Sequence, residues 1–226
     1  MIFFLAIPAG VTIGCSAVAV FNRIPANWLC DYGEEPCDLL KSGCVRLNPF
    51  PWAWVFSVFF SCMALIFANP VPLVSLWAML IIAISDKKYM IIPDQFVALL
   101  AFTAIFSANY LESLYGCLLG GGCMLTIGIT GKLLYKRDAL GFGDVKLFAA
   151  IGLITGPYGT ALILAASSFL SCLVFSIGLL SKRIARTDVL PLGPYIAIAY
   201  FFHELFKSTI WLNTFSLSVV SFSSAM

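Results

Sequence analysis

The sequence predicts an all-α, polytopic membrane protein with about eight transmembrane helices. Three observations predict this class. Of 226 residues, 61% are hydrophobic and only 11% are charged, and the mean hydropathy is +0.99. The charged residues also gather in short stretches between apolar runs of membrane-spanning length. A soluble domain of this size has charges along all of its helices, so the composition excludes that class.

Eight apolar runs are interpreted as spans. The first has no basic segment before it and no small-residue cleavage site after it, so we expect a retained helix rather than a signal peptide. The turn Asn-Pro-Val-Pro at 69–72 divides the next long apolar stretch in two. The predicted spans are 2–21, 52–69, 70–85, 95–110, 112–131, 145–157, 158–181 and 190–206. The sixth of them is short for a spanning helix.

Basic residues are segregated between the two ends of the predicted bundle. Lys and Arg lie in or beside the first, third, fifth and seventh loops, and only Lys207 lies elsewhere. The loops around 69–72, 109–113 and 156–159 contain neither residue. Because cytoplasmic loops carry the excess of Lys and Arg, we predict that the odd-numbered loops face the cytoplasm and that both termini face away from it.

The chain is predicted to be one membrane-embedded domain, 1–226, with a single large loop at 22–51. This loop carries Cys30, Cys37 and Cys44, spaced seven apart without a Cys-x-x-Cys pair. A closed tetrahedral zinc site would need a further ligand, so we expect reduced thiols and no metal. The other five cysteines lie in apolar runs and are interpreted as small buried hydrophobic residues.

Net charge excludes one class of partner. The formal net charge is only +2, and no basic cluster alternates with aromatic residues. A nucleic-acid-binding surface would require both features, so we expect no nucleic-acid partner and a lipid bilayer as the main environment.

Two aspartates stand at the predicted cytoplasmic boundary. Asp86 ends the apolar run 80–85, and Asp144 opens the next apolar helix after Gly141 and Gly143. Two carboxylates that come within a few ångströms share a proton, which allows one to act as a base toward water and the other as an acid toward a carbonyl. Glycines beside such a pair allow another backbone to approach closely.

The segments that carry these acids resemble a known family. Asp-Lys-Lys-Tyr-Met-Ile-Ile-Pro-Asp at 86–94 and Gly-Phe-Gly-Asp-Val-Lys-Leu at 141–147 are similar to the two signature segments of the type IV prepilin peptidases, which are bacterial GxGD aspartic peptidases. The stretches at 21–25 and 190–195 are similar to further family segments. The resemblance therefore extends over nearly the whole chain.

The resemblance implies a role for each matching residue. The catalytic pair falls on Asp86 and Asp144, whereas Asp94 lies outside the pair. We interpret Asp94 as a cap of the span that begins near Gln95. Lys146 is interpreted as an interfacial lysine, with a contact to a neighbouring acid or a substrate carboxylate as the alternative. The remaining acids near span ends are interpreted as solvated loop or interface residues: Glu112, Asp138, Asp188 and Glu204.

The resemblance also implies a substrate and a location. It implies removal of the basic leader from type IV pilin-like or pseudopilin precursors at the cytoplasmic face of the bacterial inner membrane, with no cofactor for proteolysis. Many bacterial members also methylate the new N-terminus with S-adenosylmethionine and carry two Cys-x-x-Cys pairs in a domain after the first span. That domain is reduced here to 22–51, which leaves methyl transfer open.

Two other functions compete with this prediction. A GxGD protease of the presenilin or signal-peptide-peptidase type would cut inside a transmembrane helix of its substrate. A small ion-coupled transporter would need acids near the middle of a span. None of the eight predicted runs has a central acid, which disfavours the transporter.

Overall fold

A computed structural model describes residues 2–29, 46–67, 69–106, 109–135, 140–182 and 190–223. Within these ranges every regular element is helical, as the sequence predicts. The α-helices are α1 (Ile2–Arg23), α2 (Pro49–Ile66), α3 (Val71–Tyr89), α4 (Asp94–Thr103), α5 (Tyr110–Tyr135), α6 (Phe142–Leu180) and α7 (Gly193–Ser223). Short 3₁₀ turns lie at Ala26–Leu29 and Ala104–Phe106. The three loop cysteines Cys30, Cys37 and Cys44 lie outside the described residues.

Four of these helices are long and apolar enough to cross a membrane. They are Ala6–Arg23, Pro49–Ile66, Tyr110–Leu134 and Phe142–Leu180. An α-helix of this length and composition satisfies its backbone hydrogen bonds within itself. A segment that crosses a bilayer must do so, because the hydrocarbon core offers no water. The chain is therefore an integral membrane protein built from helices. The predicted break at 69–72 is confirmed, because α2 ends at Ile66 and α3 begins at Val71.

Helix α6 contains a reversal of chain direction at Gly156. This glycine has a left-handed φ of 69° and is followed by Pro157 inside the helix. A side chain built on Gly120 would overlap the Phe148 carbonyl and would lie 2.9 Å from Thr160 Cγ2. On a straight helix Phe148 and Thr160 would be about 18 Å apart, so two arms of α6 fold back on each other. The predicted division between the sixth and seventh spans falls at this reversal.

Small residues allow the closest helix contacts. Gly10 and Gly14 of α1 lie against the backbone of Ser61 and Ser57 of α2, where a Cβ on either glycine would overlap backbone atoms. Residues four apart share one helix face, so two small residues on each helix form a continuous contact. In the absence of a hydrophobic driving force between helices in lipid, such close packing holds the pair together.

Helices α3, α4, α6 and α7 pack against one another, and α5 packs on α6. Helix α3 contacts α4 and α7, and α6 contacts α4, α5 and α7. The buried core includes Met79, Ile81 and Ile82 of α3, Leu147 of α6 and Tyr200 of α7. This packing brings the C-terminal end of α3 together with the N-terminal ends of α4, α6 and α7.

Contacts between loops support the predicted grouping of loop ends. The Lys88 ammonium, after the third predicted span, donates a hydrogen bond to the Arg46 carbonyl in the first loop. Asn22 at the end of α1 donates to the Leu47 carbonyl at 2.9 Å and accepts from the Leu47 amide at 2.7 Å. At the other end of the bundle, Glu112 lies beside Gly156. The described parts of the first and third loops therefore lie together at one end, and those of the fourth and sixth loops lie together at the other.

Three predictions require correction. Two helices differ from their predicted spans: α4 ends at Thr103 rather than at 110, and α7 runs from Gly193 to Ser223 rather than over 190–206. A single lysine, Lys207, does not end the apolar helix α7. Cys15, Cys62, Cys123 and Cys172 are exposed and Cys117 is partly exposed, so they are not core residues. Apolar character alone does not distinguish a core-facing residue from a lipid-facing one, because lipid tails are as apolar as leucine.

The third correction concerns Glu204. It is 4% exposed and lies inside α7, whereas a solvated interface position is predicted for it. Its Oε1 lies 3.4 Å from Nδ1 of the neighbouring His203. Asp138 and Asp188 are also interpreted as solvated residues, and both lie outside the described residues.

Candidate active site

Asp86 lies in the last turn of α3 and is 6% exposed. Its Oδ2 accepts a hydrogen bond of 2.6 Å from the backbone N–H of Gly193, the first residue of α7. Asp86 lies one residue beyond the predicted span 70–85. Burial raises the pKa of Asp86 above its ordinary value, and the Gly193 hydrogen bond opposes that rise.

Asp144 lies in the first turn of α6, which begins after the N-cap residue Gly141. Its backbone amide donates a hydrogen bond of 3.1 Å to the Gly141 carbonyl. The Gly141 backbone amide also interacts with the Asp144 carboxylate, and a Coulombic interaction links that carboxylate with Asp86. The two aspartates, 58 positions apart in the sequence (144 − 86), therefore come close together in the fold.

The two glycines before Asp144 have different surroundings. A Cβ on Gly143 would lie 3.1 Å from Ile92 Cβ, in the loop before α4. A Cβ on Gly141 would lie 3.5 Å from Asp144 Oδ2, an ordinary contact, and Gly141 is exposed. Gly143 thus allows the start of α6 to approach the loop before α4, whereas Gly141 leaves space beside the acid.

Lys146 and Asp94 form an ion pair beside the two aspartates. Lys146 Nζ lies 3.0 Å from Asp94 Oδ1 and 2.8 Å from Oδ2. The same ammonium lies 5.5 Å from the centre of the Phe142 ring. Of the two interpretations of Lys146, the structure therefore shows the contact with a neighbouring acid.

Asp94 differs in part from its predicted role as a cap. Helix α4 begins at Asp94 itself, and its N-cap residue is Pro93. A carboxylate in the first turn still interacts favourably with the helix dipole. The carboxylate of Asp94 also binds Lys146, which the sequence alone did not assign to it.

The structure thus brings all six predicted site residues to one end of the helix bundle. Asp86 and Asp144 are close to each other, Gly141 and Gly143 precede Asp144, and the Asp94–Lys146 pair joins α4 to α6. Chemically, such an arrangement offers one pair of acids that can exchange a proton. Among the described residues no group of three His, Cys, Asp or Glu is placed to hold a metal ion.

The role of Gly193 was missed in the sequence. The stretch 190–195 resembles a family segment, but nothing in its pattern indicates that its glycine amide binds Asp86. A hydrogen bond between positions 107 apart depends on the packing of α3 and α7. The Pro-Leu-Gly-Pro pattern at 191–194 was the available signal, since it marks a tight turn before a helix.

Comparisons with known proteins agree with these observations. Residues 73–177 match the model of the type IV leader peptidase family. Leader peptidase HopD of Escherichia coli is 30% identical over 124 residues, which is 51% of this chain and 79% of that protein. Leader peptidase HopD of Salmonella typhimurium is 30% identical over 129 residues, 54% of this chain and 83% of that protein.

Larger relatives match over a smaller share of their length. Prepilin leader peptidase/N-methyltransferase of Bacillus subtilis is 30% identical over 141 residues, 58% of this chain and 54% of that protein. The chain thus spans about half of that relative. No solved structure matches the chain.

Proposed function

Because the chain belongs to the type IV leader peptidase family, we propose that it is a membrane aspartic endopeptidase that removes the basic leader of type IV pilin-like or pseudopilin precursors. The observation that carries the proposal is the proximity of Asp86 and Asp144 at one end of the bundle. The names of the relatives, leader peptidase and prepilin leader peptidase, support the substrate class.

In the proposed reaction Asp86 and Asp144 act together on one water molecule. The ionised member of the pair takes a proton from the water, whose oxygen attacks the carbonyl carbon of the scissile bond. The protonated member gives its proton to the carbonyl oxygen, which forms a tetrahedral diol. When the C–N bond breaks, the leaving nitrogen receives a proton from the pair, and the carboxyl product is released.

The surrounding residues would hold the pair in place. Lys146 and Asp94 would fix the start of α6 against the start of α4. Gly143 would allow that close approach, and Gly141 would leave room for the substrate backbone beside Asp144. We place neither Asp94 nor Lys146 in the proton transfer.

We place this site at the cytoplasmic face of the bacterial inner membrane, in a single domain with eight spans. The excess of Lys and Arg in the odd-numbered loops supports that side. The reversal at Gly156 divides α6 into two arms, which supports counting two spans there. The basic leader of a precursor would then meet Asp86 and Asp144 where its apolar helix leaves the membrane.

Proteolysis in this proposal uses no cofactor or metal. Methylation of the new N-terminus would be a second step, with S-adenosylmethionine as the methyl donor. The loop 22–51 is the candidate region for that step, and Cys30, Cys37 and Cys44 belong to it. We assign no residue to the methyl donor.

The test is cleavage of a pilin-like precursor by the full-length chain in lipid nanodiscs. Asp86→Asn and Asp144→Asn are each expected to abolish cleavage, whereas Asp94→Asn should retain a measurable fraction as the matched control. Retained cleavage by either of the first two variants would contradict the proposal.

Mass spectrometry of the product separates the competing functions. A new N-terminus just before the apolar helix is expected, and any added methyl group appears in the same spectrum. A cut inside the apolar helix would indicate a protease of the presenilin or signal-peptide-peptidase type instead. Proton flux without any cleavage would indicate a transporter.

A further inference from the structure

The start of α7 is built so that one backbone amide is free for Asp86. The first amides of an α-helix have no partner within the helix. Here the amides of Tyr195 and Ile196 donate to the Leu192 carbonyl, each at 3.1 Å. Pro194 has no N–H. Gly193 therefore carries the first donor of α7, and that donor binds Asp86.

The contact leaves no space for a side chain at position 193. A Cβ on Gly193 would lie 2.8 Å from Asp86 Oδ2 and 2.9 Å from Asp86 Cβ. Real Cβ atoms do not come that close to another heavy atom, so a larger residue would push α7 away from the acid. Glycine is thus required by the approach of α7 to α3 and not by a special backbone angle.

Two features of α3 oppose a charge on Asp86. The carboxyl is buried, and it lies in the last turn of α3, where the helix dipole disfavours an anion. The N-terminus of α7 is the positive end of its helix dipole, and it also donates a hydrogen bond to Asp86. A hydrogen bond to a charged acceptor is stronger than a hydrogen bond to a neutral acceptor. The α7 terminus therefore offsets the unfavourable position of the acid.

From this geometry we propose that Gly193 is a positioning residue for the reaction, whose backbone N–H keeps Asp86 oriented and able to ionise beside Asp144. The inference rests on the proposed function, because it assumes that Asp86 is catalytic. It adds that the turn before α7 is part of the catalytic machinery, although it lies beyond residues 73–177, the part matched by the family model.

The charged groups around Asp86 define what a pH profile would report. The carboxylate of Asp144 on α6 interacts with it electrostatically. The lysines that follow it on α3 are exposed, and the lysine near the start of α6 is paired with an acid of α4. These groups are Lys87, Lys88, Lys146 and Asp94. A variant that changes only the Gly193 amide leaves all of them in place.

The sharpest variant replaces Gly193 by glycolic acid, which changes its backbone N–H into an ester oxygen and adds no side chain. We expect the acid limb of kcat to move up by about one pH unit or more, because a hydrogen bond to a charged group is lost. KM should change little, because this amide already donates its hydrogen bond to Asp86. Gly193→Ala should move the acid limb of kcat in the same direction and lower kcat further, because it also adds a side chain.

Two controls separate positioning from packing. Gly122→Ala makes the same change at a glycine with nothing within 4 Å of the added carbon, and should behave like wild type. Tyr200→Phe removes the 2.8 Å hydrogen bond from Tyr200 to Ser75, which joins the same two helices. It should lower thermal stability and leave the pH profile unchanged.

The outcomes are distinct. An ester variant with the wild-type pH profile and kcat would overturn the role of Gly193. If Asp86→Asn is inactive in the same assay, that result concerns Gly193 alone and the proposed function still stands. The same shift in Tyr200→Phe would also overturn the role of Gly193, because the effect would then come from loosened packing of α3 and α7. An active Asp86→Asn would instead overturn the proposed function itself. If Gly193→Ala does not fold, the ester variant decides.

Discussion

Lys146 Nζ lies 3.0 Å and 2.8 Å from the two carboxylate oxygens of Asp94 and so joins the first turn of α4 to the second turn of α6. Lys146 lies two residues after Asp144 in the sequence, and the ion pair bridges two helices that no turn connects directly. Because the ammonium contacts both oxygens, it restrains the start of α6 in more than one direction. The ion pair therefore restrains the position of α6 relative to α4.

Loss of this ion pair should reduce activity more than stability. The two side chains are 34% and 38% exposed, and partly solvated ion pairs contribute at most about 1 kcal/mol to stability. Lys146→Met is expected to lower kcat/KM severalfold while the unfolding temperature changes little. Leader cleavage and thermal unfolding in detergent measure the two effects. Lys146→Arg is the matched control, and equal activity of the Met and Arg variants would contradict the prediction.

The two glycines of the Gly-Phe-Gly-Asp segment should respond differently to substitution. An added Cβ at Gly143 lies 3.1 Å from Ile92 Cβ, whereas one at Gly141 makes an ordinary contact of 3.5 Å. Gly143→Val should therefore reduce kcat strongly, and Gly141→Ala should reduce kcat less.

Cleavage by Gly143→Val, with and without Ile92→Ala, tests this steric explanation. The second change removes the side chain that the valine would meet, so partial recovery of kcat is expected. If Ile92→Ala gives no recovery at all, then the effect of Gly143→Val does not arise from that contact.

The sequence was sufficient for the helical membrane class of the fold and for the approximate starts of most helices. Apolar length and the distribution of charge predicted both, because the cost of charges in lipid is strong and local. Residues such as Cys62 and Glu204 were misplaced, since hydropathy does not indicate which side of a helix meets its neighbours. The Gly193–Asp86 contact also could not be predicted, because it depends on the packing of two helices that are far apart in the sequence.

Close packing between α5 and the first arm of α6 should make Gly152 sensitive to a single methyl group. A Cβ there would overlap the backbone of Gly116, and overpacking costs about 1–3 kcal/mol, occasionally more. Gly152→Ala is therefore expected to lower the unfolding temperature clearly. Gly122→Ala, on the same α5 but with open space around the added carbon, is the matched control. Equal unfolding temperatures for the two variants would contradict the packing described here.

The stability of the protein should depend on pH through Asp86. Burial raises the pKa of this carboxyl, so the folded chain holds its proton to a higher pH than the unfolded chain does. Stability from this group is then complete below about pH 4, the ordinary range of an aspartate, and declines as the pH rises toward the raised pKa. Asparagine has the same shape, cannot ionise, and still offers an oxygen to the Gly193 amide.

Asp86→Asn is therefore expected to unfold at a higher temperature than wild type near pH 7 and at the same temperature near pH 4. Thermal unfolding in detergent at a series of pH values measures the difference, which should grow steadily with pH. Asp94→Asn is the control, because it removes a charge from a partly exposed ion pair and should change the unfolding temperature little across the same pH series. If the difference between Asp86→Asn and wild type shrinks as the pH rises, then the Gly193 hydrogen bond outweighs burial, and Asp86 is held as a stable anion.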